Sequence, residues 1–187
     1  MNPSLSIARS ELILGGQKSG KSRRAEALAR EWLARAPQHR ALLMATGQAH
    51  DGEMRERIAR HQRERAEQVP GLATLEEPRA LADAIAQHGA AHVLIVVDCL
   101  TLWLTNWLMP PDAPGAPAPV APLLEAIRRS PGPVVLVGNE IGLGVIPLGP
   151  EVRAFVDALG SLNQQVAGVC ERVTLMAAGL PLFIKSP

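Results

Sequence analysis

The sequence predicts an α/β fold, one domain built on a mostly parallel sheet flanked by helices, and three observations predict it. Short apolar runs alternate with longer amphipathic segments, the rhythm of strands joined by helical crossovers. The run Val93-Leu94-Ile95-Val96-Val97 is apolar at successive rather than alternate positions, as expected of a strand covered on both faces and central in its sheet. A glycine-bearing segment, Gly15-Gly16-Gln17-Lys18-Ser19-Gly20-Lys21-Ser22, joins the first apolar run to the first amphipathic one.

Taken in order, strands are predicted at Leu12–Leu14, Leu42–Ala45, Val93–Val97, Val134–Val137, Val173–Met176 and Leu182–Ile184. Start and stop signals place helices at about Lys21–Ala34, Gly52–Glu67, Arg79–His88, Leu100–Leu108, Pro122–Arg129 and Pro150–Cys170. The last two strands flank Gly179-Leu180-Pro181, which reads as a hairpin at the sheet edge. Between residues 110 and 122 six prolines forbid regular structure and favour an extended surface loop. The strand rhythm continues on both sides of it, so residues 1–187 are read as one domain.

Composition narrows the function. A chain of 187 residues that is 47% hydrophobic can bury a core without staples. Its 19 basic and 18 acidic residues leave a formal charge of +1, so no footprint for nucleic acid or an anionic membrane shows in the totals. Cys99 and Cys170 stand far apart and outside any metal-ligand spacing, which suits buried apolar roles in a reducing compartment. No apolar run reaches about 18 residues and no signal-like segment opens the chain. A cytoplasmic location without membrane insertion is expected.

The segment Gly15–Ser22 fits G-x-x-x-x-G-K-S and sits between a strand and a helix, where its mechanism requires it. Glycines let successive backbone N–H groups turn toward phosphates, and the helix N-terminus adds a favourable dipole. Lys21 meets the phosphate charge, and Ser22 can ligate Mg2+. Asp98 ends the central strand at the sheet's carboxyl edge and is the candidate for a second magnesium-side group, an N-cap of the following helix being the alternative. Asn139-Glu140, followed by Gly142 and Gly144, arrives at the same edge.

In the predicted helix through residues 53–65, Met54, Ile58, His61 and Arg65 share one face by spacing. His61 thus joins the apolar stripe, where a packing role is the bland account. Arg57, Arg63 and Arg65 lie close by, and clustered guanidinium groups suit a polyphosphate, although Glu53, Glu56 and Glu64 could pair some of them on a solvated face.

With these residues placed, the sequence resembles the bifunctional adenosylcobinamide kinase and adenosylcobinamide-phosphate guanylyltransferase family of cobalamin biosynthesis, from Leu12 to Lys185. The likeness rests on Gly15–Ser22 with Arg23 and Ala25-Glu26, Asp51-Gly52-Glu53-Met54, Arg57-Ile58, His61 and Glu76-Glu77-Pro78. It continues through Asp98-Cys99-Leu100-Thr101, Thr105-Asn106, Asn139-Glu140-Ile141-Gly142, Arg153, Asn163-Gln164 and Gly179-Leu180-Pro181. Lys18 stands where the family usually has arginine.

The resemblance implies a RecA-like P-loop fold, often in a trimer, that uses GTP and ATP with Mg2+. It implies phosphorylation of adenosylcobinamide, followed by transfer of GMP from GTP to that phosphate through a guanylylated histidine. His61 falls at the nucleophile position. Thr46-Gly47-Gln48, Gln62, Arg63, Glu64, Arg65, Glu76 and Asp98 fall at positions the family uses for the nucleotide. Read from the residues alone, a simple small-molecule kinase with a structural His61 remains the alternative. A nucleotide-controlled switch is a weaker one, since no N-K-x-D is present and the only D-x-x-G, Asp157 to Gly160, lies in a predicted helix.

Overall fold

The structure, a computed structural model, describes residues 5–48, 52, 56, 63 and 67–187. In chain order the elements are β1 (Ser10–Gly15), α1 (Lys21–Arg35), β2 (Arg40–Ala45), β3 (Leu72–Glu76), α2 (Leu81–His88) and β4 (Val93–Asp98). They are followed by α3 (Leu100–Leu108), α4 (Val120–Arg129), β5 (Val134–Val137), α5 (Pro150–Val169), β6 (Arg172–Ala177) and β7 (Leu180–Lys185). Gly52, Glu56, Arg63 and Glu67, all within the helix expected at 52–67, are helical, but His61, Gln62, Glu64 and Arg65 lie outside the described residues.

All the strands join one sheet in the order β3-β2-β4-β5-β1-β6-β7, parallel throughout except for the antiparallel pair β6–β7. β4 and β5 flank the proline-rich segment and pair directly with each other. β4 shows why its sequence has no alternation. Ile95 and Val97 pack into the cluster under α2 to α5, with Trp103, Leu123, Leu159 and Val166. Leu94 and Val96 pack on the opposite face with Leu28 and Ala29 of α1. A strand sandwiched between two helical layers has no solvent side to assign to polar residues, and each such side chain stabilises the fold by roughly 1.5–3 kcal/mol.

Most strands extend one or two residues further, at one end or both, than the sequence reading, and one strand and two helix starts differ from it for identifiable reasons. β3 was not expected, because its half-buried residues Leu72 and Leu75 are spaced by three rather than two, and it is an edge strand that needs no apolar face. α2 begins at Leu81 rather than Arg79, because the Glu77 carboxylate accepts hydrogen bonds from the N–H groups of Arg79 (2.9 Å) and Ala80 (2.6 Å) and holds them in a turn. α4 begins at Val120, so Pro122 lies in the helix's first turn, where its missing N–H costs nothing.

Register matters most at the carboxyl edge. Glu76 pairs with Ala45, Ala45 with Asp98, Asp98 with Val137 and Val137 with Ile13, so five strand ends form one row just below the loops.

Candidate nucleotide site

β1 delivers the chain to this edge at Gly15, and α1 departs at Lys21. Gly15 has φ +153°, and a Cβ there would come within 2.5 Å of the Met176 carbonyl oxygen and 2.6 Å of Ser19 Oγ. No side chain fits. Gly20 occupies the N-cap of α1 at φ +99°, against the Cα of Gly179. Among the described residues no side chain caps α1, and its first turn, Lys21-Ser22-Arg23-Arg24, carries no acid, so the positive end of the helix is left for an anion. Ser19 Oγ is buried with no hydrogen-bond partner among the described residues.

Lys21 is buried, and its Nζ donates to the Gly16 carbonyl at 2.6 Å. Burial holds the ammonium below the usual lysine range, and the negative charge of Asp98 opposes that shift. A bound phosphate offers the ammonium a stronger partner than a neutral carbonyl. Across the loop, Ser22 Oγ donates to Asp98 Oδ2 at 3.4 Å. The N-cap position of α3 falls to Cys99, one residue further on, so Asp98 faces the P-loop. A hydroxyl and a carboxylate converging here form the hard oxygen set that Mg2+ takes together with substrate phosphates.

The hairpin props this cradle from behind. Ala178 and Gly179 both adopt positive φ (+53° and +80°), the geometry of a two-residue I′ turn, and the Gly179 N–H donates to the Ser19 carbonyl at 3.0 Å. Below the turn lies a buried charge cluster. Glu11 of β1 accepts from Arg24 Nε at 2.7 Å, from Thr174 Oγ1 at 2.8 Å and from Arg172 Nη1 at 3.3 Å, with Phe183 of β7 packed over both guanidinium groups. It locks the first turn of α1 to β1, β6 and β7.

The other expected residues lie further along the edge. Thr46 is fully buried, and its hydroxyl is spent on the backbone of Cys99, donating to the carbonyl at 2.7 Å and accepting from the N–H at 2.8 Å. Gly47 is half-buried, while Gln48, Glu76 and Arg63 are exposed. Four strand spacings separate β3 from β1, roughly 19 Å, so the Glu76 corner is out of reach of a phosphate held by Lys21. The row of strand ends therefore runs well beyond the reach of the P-loop, with Glu76 at its far end.

Sequence reasoning brought Asn139 and Glu140 to this edge but gave no site role to Asn106 or Asn163, which clamp the backbone along it. Asn106 Nδ2 donates to the carbonyls of Thr46 (2.8 Å) and Pro78 (3.0 Å), tying together the loops after β2 and β3. The Asn139 N–H donates to Thr101 Oγ1 (3.0 Å) while its carbonyl accepts from Asn163 Nδ2 (3.1 Å), and the Glu140 N–H donates to the Gly15 carbonyl (3.1 Å). The available signal was buried asparagine on otherwise apolar helix faces, since Asn106 and Asn163 both sit in the core of their helices.

A glycine cradle at the carboxyl end of β1, a lysine folded into it, and an aspartate two strands away across an inserted β5 are the arrangement of a RecA-like P-loop nucleotide-binding fold. Residues 11–184 match the family described as cobinamide kinase / cobinamide phosphate guanyltransferase, and the chain belongs to that family. It is 48% identical over 176 residues to the bifunctional adenosylcobalamin biosynthesis protein CobP of Pseudomonas aeruginosa, covering 94% of this chain and 96% of that one. To the bifunctional adenosylcobalamin biosynthesis protein CobU of Escherichia coli it is 33% identical, covering 93% and 98%. Among solved structures it is similar to the flagellar accessory protein FlaH of Methanocaldococcus jannaschii, with a TM-score of 0.56 at 14% identity over 97% of this chain and 80% of that one. That last likeness is one of fold.

Proposed function

We propose that this protein phosphorylates adenosylcobinamide and then transfers GMP from GTP to the resulting phosphate through His61, giving adenosylcobinamide-GDP. The observation that carries the reading is the cradle of Gly15–Ser22 with Lys21 and Asp98 facing it, in a chain of this family. In the kinase step the acceptor hydroxyl oxygen attacks the γ-phosphorus, the bond to the bridging oxygen breaks, and the hydroxyl proton is released. Lys21 leaves the Gly16 carbonyl for the phosphates, and the loop amides hold the charge that moves onto the leaving group. In the transferase step an imidazole nitrogen of His61 attacks the α-phosphorus and pyrophosphate departs. The acceptor phosphate then displaces the histidine, so that one difficult displacement becomes two easier ones.

Ser22 and Asp98 would hold Mg2+, which supplies charge neutralisation on the triphosphate. Gln62, Glu64, Arg65, Arg63, Gln48 and Glu76 are assigned to the far part of the nucleotide, and Thr46 to holding the loop after β2 in shape. We assign the reaction to the cytoplasm and the protein to a homo-oligomer, a trimer by resemblance. Two buried free thiols suit a reducing compartment, and no described helix is long and apolar enough to cross a membrane.

The test is to incubate the protein with magnesium and α- or γ-labelled GTP, denature it, and map retained label by peptide mass. Label from the α-position on His61, labile in acid and stable in base, is expected, and His61→Asn should lose guanylyl transfer while keeping much of the kinase activity. No retained α-label would return the protein to a plain kinase, and a fully active His61→Asn transferase would remove His61 as the nucleophile.

A further inference from the structure

The segment joining β5 to α5 is held firmly at both ends and displays apolar side chains in between. At its start the backbone of Asn139 is gripped by Thr101 and Asn163, and the Glu140 N–H is bonded to the Gly15 carbonyl. At its end Arg153 donates to the carbonyls of Pro147 and Leu148. Between these anchors Leu143, Val145, Ile146 and Leu148 stand 79, 97, 76 and 95% exposed. Residues 141–150 contain no charged side chain. An anchored loop that holds four large apolar groups in water marks an interaction surface. Without a cation it offers nothing to a phosphate.

Its place decides the occupant. The loop is bonded at Glu140 to Gly15, the first residue of the phosphate cradle, so it starts at the cradle and what rests on it lies on that side of the sheet edge. We propose that the 141–148 loop is the seat of the acceptor's macrocycle, the methyl- and amide-fringed corrin ring packing on Leu143, Val145, Ile146 and Leu148 while its aminopropanol arm reaches into the cradle. The inference rests on the reading that cobinamide is the acceptor. Gly144, where an added Cβ would meet nothing within 4 Å, leaves the loop backbone open to the ring's amides, and each apolar side chain fully covered contributes about tenfold or more to binding.

The test compares Val145→Ser/Leu148→Ser with the wild type in the kinase assay, alongside equilibrium dialysis with cobinamide and light-scattering mass. Both positions face solvent, so the fold should survive, as thermal denaturation would verify. The expected result is a KM and Kd for cobinamide raised tenfold or more, with the KM for nucleotide, self-labelling from α-labelled GTP, and mass unchanged. An unmoved cobinamide KM in the variant, with the wild type fully active on cobinamide, would overturn the loop assignment alone. A raised KM accompanied by loss of subunits would assign the loop to a contact between copies of the chain and also overturn it. A wild type that fails to phosphorylate cobinamide would remove the reading beneath the proposal, and the proposal with it.

Discussion

Glu11→Gln replaces a carboxylate that two guanidinium groups and a hydroxyl share in the core, Glu11 being 1% exposed and the side chains of Arg24 and Arg172 7% and 9%. The amide is the same size, but whichever way it is turned its NH2 meets a donor. At the Oε1 position it faces Arg24 Nε and Thr174 Oγ1, and at Oε2 it faces Arg172 Nη1. The substitution also leaves two buried cations without a counter-charge. Breaking a buried pair in this way costs about 3–5 kcal/mol. For a domain of this size the loss lowers Tm by roughly 6–20 °C, at about 2–4 °C per kcal/mol. Arg24→Met should cost less, about 1.5–3 kcal/mol for one charged hydrogen bond, because Arg172 still neutralises Glu11. Urea and thermal denaturation followed by circular dichroism would measure both variants. If Glu11→Gln unfolds within about 1 kcal/mol of the wild type, or Arg24→Met is the worse of the two, the cluster is not the charge-balanced tie described above.

Lys21→Ala should abolish both kinase and transferase turnover, losing about 3 kcal/mol or on the order of a hundredfold in rate, and near-normal turnover in either assay would refute a shared cradle. Asp98→Asn keeps size and removes charge, so it should shift the magnesium dependence of turnover while leaving the denaturation midpoint nearly in place, and an unchanged magnesium titration would reduce Asp98 to a structural residue. Burial, aided by the nearby Asp98 charge, pushes the Cys99 thiol up to about 11, and burial pushes Cys170 up to about 12. Both are therefore protonated in the folded protein near pH 8, and labelling by a thiolate-specific reagent should be slower by a hundredfold or more than in urea, an expectation contradicted by rapid labelling of either cysteine in the native state.

Much of the site was legible because its chemistry is local. The phosphate loop is eight consecutive residues whose glycines, lysine and serine announce their work by spacing, and Asp98 is marked by ending an unbroken apolar strand. What connects distant segments was not legible. Nothing near Glu11 in the sequence indicates Arg172 or Thr174, and a glutamate within an apolar strand can as well be exposed as buried. β3 escaped because an edge strand needs no alternating face. The placement of Glu76 beside Ala45 is a matter of register, which depends on pairing that no single segment encodes.

The hairpin resting against the phosphate loop carries a consequence for synthesis. Thr174, which completes the tie to Glu11, follows it by 163 residues, and β1 has as its neighbours β5 and β6, both made late. A growing chain on the ribosome can pair β2, β3 and β4 soon after they emerge, while β1 and its glycine loop wait without flanking strands and without the Gly179 prop. Nucleotide therefore cannot template the early steps of folding, and the loop that is translated first becomes competent only once β6 and β7 have arrived.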